Sequence, residues 1–137
     1  MGPYGYVSGP QDLRYVKIDG SSTAIVAGDA LSLATAGYLK KAAAGDVIRA
    51  IAVEALATTD LIATDGAVSI LADVGTAATY QYPADAGTVT QALVFTYLDF
   101  GGSQTVNIDS TTQKTLYCIG VDTVRNTVLF NLVRTAA

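Results

Sequence analysis

Few residues in this chain of 137 can do chemistry: one cysteine, twelve acidic side chains of which only Glu54 is a glutamate, eight tyrosines and no histidine. Histidine is the side chain whose ordinary pKa lies nearest neutrality and the commonest metal ligand, so its absence excludes Ser-His-Asp, Cys-His and histidine-zinc sites. Cys118 sits in Leu116-Tyr117-Cys118-Ile119-Gly120-Val121, which reads as a buried strand. A lone thiol without an activating base behaves there as a small core residue. Asp60, Asp65 and Asp73 are the remaining candidates for acid/base work or a cation site. Their spacing matches no calcium loop, and Asp65-Gly66 reads as a turn. Glu54, in Ala52-Val53-Glu54-Ala55, is expected to pair with Arg49 or another cation as a structural ion pair. Tyr80, Tyr82 and Tyr97 have rings that could stack on sugars, with burial in a core or subunit interface as the rival reading. This inventory predicts no enzyme, no cofactor, no metal and no small-molecule substrate.

Bulk properties agree. Hydrophobic residues make up 50% of the chain and charged ones 15%, against a usual charged share of about a quarter, so a weakly charged surface is available for association. The formal net charge is −4 and the eight Lys and Arg are scattered, with only Lys40-Lys41 adjacent, a pair that reads as a solvated turn. A phosphate-binding face needs clustered cations, so nucleic acid is not an expected partner. No apolar run reaches the ~18 residues of a membrane span, and the first residues show neither a secretion signal nor, with Tyr6 where Ser or Thr is required, a myristoylation site. No membrane association is expected.

The elements that must position these side chains divide the chain into an extended N-terminal arm, residues 1–13, and one compact β-rich domain, 14–137. Gly or Pro at positions 2, 3, 5, 9 and 10 prevents a helix in the arm. Tyr4, Tyr6 and Val7 are too apolar for a solvated tail. With Pro3 and Leu13, they are the expected contacts to a partner. Fully extended, the stretch from Gly2 to Val16 reaches on the order of 50 Å. Tyr15 to Ile18 reads as a strand ended by the turn Asp19-Gly20-Ser21-Ser22. Gly28-Asp29 and Gly45-Asp46 both precede apolar runs and read as tight corners feeding short strands. Ile48 to Val53 is apolar on both faces apart from Arg49, the pattern of a covered strand.

Residues 56–64 read as a loop or a short helical turn, and Ala67 to Ala72 as a strand. Thr76 to Gly87 reads as a loop in which Pro83 keeps Tyr80-Gln81-Tyr82 extended. Thr88-Val89-Thr90-Gln91 has the form of a capping box, and Val89, Ala92, Leu93 and Thr96 share one helical face, so Val89 to Leu98 is the best helix candidate. Strand propensity in Val94-Phe95-Thr96-Tyr97 competes with it. Gln104 to Ile108 reads as a half-buried strand. Thr115–Val121 and Asn126–Val133 read as a terminal hairpin about Asp122-Thr123-Val124-Arg125. The expected fold is mainly β, a small barrel or sandwich with at most one or two short helices and the extended arm.

Four segments together resemble the head decoration, or capsid cement, proteins of tailed phages. They are Gly28-Asp29, Gly45-Asp46-Val47-Ile48-Arg49-Ala50-Ile51-Ala52, Asp99-Phe100-Gly101-Gly102-Ser103-Gln104-Thr105-Val106-Asn107-Ile108-Asp109 and Val121-Asp122-Thr123-Val124-Arg125-Asn126-Thr127-Val128. The resemblance implies a structural virion protein, made in the host cytoplasm. It would sit as a homotrimer on the outer surface of a bacteriophage head, bind the major capsid protein and stabilise the capsid. An arm bearing Tyr4, Tyr6 and Val7 suits β-augmentation of a neighbour's sheet, and a trimer would carry three such arms acting at high effective concentration. The alternatives are another phage β module, such as a head fibre base or tail component, or a carbohydrate-binding domain.

Overall fold

A computed structural model describes residues 5–134 as eleven strands and two single 3-10 turns. In chain order the strands are β1 (Gly5–Ser8), β2 (Leu13–Ile18), β3 (Ala30–Thr35), β4 (Tyr38–Lys41), β5 (Ile48–Ala52) and β6 (Val68–Asp73). They continue with β7 (Thr79–Pro83), β8 (Tyr97–Phe100), β9 (Val106–Asn107), β10 (Leu116–Asp122) and β11 (Thr127–Leu132). The protein is mainly β. Five strands close into a barrel in the order β2-β4-β3-β5-β6, and the other six form a sheet in the order β1-β7-β11-β10-β8-β9.

The small residues noted in the sequence explain how so narrow a barrel is filled. Its interior holds Ala50, Ala52 and Ala72 beside Leu31, Ile18 and Ile70, all buried; small side chains facing large ones suit a tight, tapered barrel. Ile51, on the opposite face of β5, joins a second core with Ile48, Tyr82, Phe100 and Phe130. That core lies between the outside of the barrel and the inner face of the sheet, which is why β5 is apolar on both sides. Its aromatic centre is the Tyr82–Phe130 pair, with ring centroids 4.9 Å apart.

Both Gly-Asp corners form as expected, and by the same device. Gly28 (φ 93°) and Gly45 (φ 82°) take the left-handed backbone. Asp29 Oδ2 accepts the Val26 N–H at 2.9 Å, and Asp46 Oδ2 accepts the Ala43 N–H at 2.9 Å. The first corner is also where barrel and sheet are fastened: Tyr82 donates its hydroxyl to Gly28 O, and Gln104 Nε2 donates to Asp29 Oδ1 at 2.8 Å. Burial beside Asp29 pushes the Tyr82 hydroxyl pKa well up.

Several sequence expectations are corrected. The stretch 76–87 contains β7, a strand inside the sheet whose Tyr80 and Tyr82 face the core; Pro83 is its last residue, where a missing N–H costs least. The capping box at 88–91 does not start a helix. The Val89 N–H bonds Asn126 Oδ1 at 2.8 Å, only Gln91–Leu93 make a 3-10 turn, and β8 follows. The strand expected over 104–108 shrinks to Val106–Asn107, because Gln104 takes a positive φ and sends its amide to Asp29. Lys40 and Lys41 end β4 rather than forming a turn, and face Asp46 (3.8 Å) and Asp29 (3.7 Å). Glu54 is exposed and accepts the Leu71 N–H at 2.7 Å instead of meeting Arg49.

Candidate interaction surface

The N-terminal segment supplies the sheet's edge strand. β1 runs antiparallel to β7, with Gly5 opposite Gln81, Tyr6 opposite Tyr80 and Ser8 opposite Thr79, and a bulge falls between Tyr6 and Ser8. Of the expected contact residues, Pro3 and Tyr4 lie outside the described residues. Tyr6 and Val7 are adjacent on β1 and 43% and 45% exposed. Leu13, 42% exposed, is separate from them, opening β2 on the barrel opposite Asp73. The residues expected to act as one arm are thus divided between an edge strand and a barrel strand.

What joins the two is a fastening the sequence reading missed. Gly9 takes φ 90°, and a Cβ there would lie 2.8 Å from Ala77 O, so the chain can pass only as glycine. Beyond it, Gln11 Nε2 donates to the Tyr80 hydroxyl at 3.2 Å and Asp12 N–H donates to Asp73 Oδ1 at 3.0 Å. Asp73 is fully buried and also accepts the Gly75 N–H (2.9 Å) and the Tyr80 O–H. Burial, and then the bond to Asp73, push the Tyr80 pKa well above its ordinary value. A carboxylate met by this many donors is a structural anchor. The sequence signal that could have found it is an Asp at the end of an apolar strand beside a tyrosine seven residues on. Tyr6 closes the arrangement from above: its ring stands edge-on to Tyr80 with centroids 5.9 Å apart, and its hydroxyl donates to Gly9 O at 2.7 Å.

The outer side of β1 pairs with nothing among the described residues. Its backbone groups on that side are open to a further strand, while the half-exposed Tyr6 and Val7, adjacent on β1, point to opposite faces of the sheet, Tyr6 toward Tyr80. A second exposed apolar group lies across the sheet. Phe95 is 71% exposed and holds φ 68°, an unusual conformation for a bulky residue. Ile119 is 38% exposed, and Tyr97 pairs directly with Tyr117, their centroids 4.9 Å apart.

Two further chemistry-bearing residues, Asp65 and Cys118, are engaged within the fold. Asp65 accepts the Gly20 N–H at 2.8 Å. Cys118 is buried, which pushes its thiol pKa up and leaves it protonated and poorly nucleophilic at neutral pH. Tyr80 and Tyr82 are buried and unavailable to a sugar, whereas Tyr97 is 44% exposed. Comparison with protein-family models, with curated proteins and with solved structures gave no match.

Proposed function

We propose that the chain decorates the outside of a tailed-phage capsid as a homotrimer, cementing neighbouring major capsid subunits without catalysing a reaction. The observation that carries this reading is β1: an edge strand with an open outer side, two half-exposed apolar residues and a root fastened to buried Asp73 and Tyr80. A capsid strand adding to β1 would gain backbone hydrogen bonds along the open side, with Tyr6 and Val7 giving selectivity. Four residues offer little area, so one such contact is weak; three on one trimer act together because docking the first raises the local concentration of the others. The segments that carry the resemblance have roles in the fold: Gly28-Asp29 and Gln104 fasten barrel to sheet, and residues 121–128 span the turn between β10 and β11 with the strand ends on either side.

The structure sharpens the test. Removing residues 1–8 deletes β1 and spares Gly9, Gln11 and Asp12, which belong to the fastening. Full-length protein is expected to have a trimer's mass in solution and to be retained on expanded heads of its phage but not on unexpanded ones. The truncated protein is expected to stay folded and lose retention. Full retention of the truncated protein would sink the edge-strand mechanism. A monomer indifferent to both head forms would sink the whole reading.

A further inference from the structure

Where β11 ends, a shallow, largely open chamber of about 330 Å³ lies on the surface, and a narrower, more enclosed recess of about 50 Å³ adjoins it, the two sharing Thr76, Leu132, Val133 and Arg134. Arg49 of β5 lines the recess; Tyr97, Tyr117 and Asn131 line the chamber. Neither is lined by an Asp or Glu, although the chain as a whole carries a net charge of −4. Arg14, Lys40, Lys41 and Arg125 each face a carboxylate. Among the described residues Lys17, Arg49, Lys114 and Arg134 do not, and of these the two arginines line the cleft. Arg134 Nη2 donates to Val74 O at 3.1 Å, which fixes the guanidinium and leaves its other N–H groups free to bind. The cleft thus combines two unneutralised arginines with an aromatic wall.

We infer that this cleft is a binding site for an acidic saccharide, a sugar unit bearing a carboxylate. The carboxylate would enter the recess between Arg49 and Arg134, where planar N–H forks match its geometry. The apolar C–H face of the ring would lie on Tyr97 and Tyr117, and its hydroxyls would reach Thr76 and Asn131. An extended peptide fits less well, because Tyr117 already pairs with Tyr97 on one side and Asn131 on the other, so the chamber floor offers no free backbone. Nucleic acid would need more cations than these two. The site is separate from β1 and stands or falls independently of the cementing reading.

The test is a titration of the full chain, followed by calorimetry and amide chemical shifts, with four probes at up to about 10 mM, where a millimolar affinity still registers. The probes are a glucuronate-containing tetrasaccharide, sialyllactose, lactose and sodium acetate. The expected result is that at least one acidic sugar binds about tenfold or more tightly than lactose and acetate, perturbing the amides of Tyr97, Tyr117 and Arg134. Arg49→Gln and Arg134→Gln are expected to weaken it by about tenfold or more each, with melting temperature unchanged. Failure of both acidic sugars to bind, or acetate binding as tightly as they do, would overturn the proposal. So would full binding by both arginine variants. Comparing the four probes on the unaltered protein decides the matter even if a variant does not fold.

Discussion

The barrel and the sheet are both built from short strands, and they are filled and finished differently. In the barrel every strand has a neighbour on each side and the interior is closed with alanines, while Leu13, Tyr15 and Leu33 are exposed on its outside. The sheet keeps its aromatic core against the barrel but leaves β1 open on one side and Phe95, Tyr97 and Ile119 exposed. Closing a sheet removes the backbone groups that could recruit another chain; leaving it open keeps them. The two halves thus differ in backbone: the closed one leaves no strand edge, and the open one leaves the outer side of β1 unpaired among the described residues.

The largest expected effect comes from the core they share. Phe130→Ala removes a ring packed on Tyr80 and Tyr82 and is expected to cost about 3–5 kcal/mol in urea unfolding. A single transition shifted to lower urea would mean that barrel and sheet unfold as one unit. A second transition, with the barrel surviving, would make the barrel a domain of its own. Next, Ala50→Leu overfills the barrel interior, where Ala50 is fully buried, and is expected to cost about 1–3 kcal/mol. No loss would show that the barrel has slack.

Tyr80→Phe leaves Asp73 with an unpaired buried oxygen and Gln11 without its acceptor, at an expected cost of about 1–3 kcal/mol. Amide exchange at Asp12 should quicken. Because the folded pKa of Tyr80 is raised, its contribution is complete below the unfolded value of about 10 and is lost as pH climbs from there toward the folded pKa. The variant should therefore show a flatter alkaline limb. The smallest effect concerns Asp19, whose pKa is lowered by the Ser21 hydroxyl and N–H and the Thr35 hydroxyl. A depressed carboxylate stabilises above its unfolded pKa of about 3.9 and loses that contribution as pH falls through the folded value. Asp19→Asn should lower stability at neutral pH, where the contribution is present, and flatten the slope of stability against pH below about 4, so that variant and parent converge in acid.

Local chemistry was the legible part of this fold. The Gly-Asp corners, the turn at Asp19, the terminal hairpin and the buried setting of Cys118 follow from side chains acting on their own neighbourhood. Misreadings arose where distant partners intervened. Asn126 takes the Val89 N–H that a helix start would have left open, and Asp29 draws Gln104 out of a strand. Arg49 and Arg134 are far apart in sequence, so no spacing rule joins them. The arm was legible in composition, through its glycines and prolines, but its pairing with β7 depends on a strand that Pro83 disguised as a loop.

The fastening at Gly9 to Asp12 has a mechanical consequence. Tension applied at the start of the chain would peel β1 from β7 one pair at a time, a mode that resists force weakly. It would then meet the Asp12 bond to buried Asp73 and the Gln11 bond to Tyr80. Load would divide at that point, passing into the barrel through β2 and Asp73 and into the core of the sheet through Tyr80. The edge strand would therefore be the first part to yield, ahead of the fastening behind it.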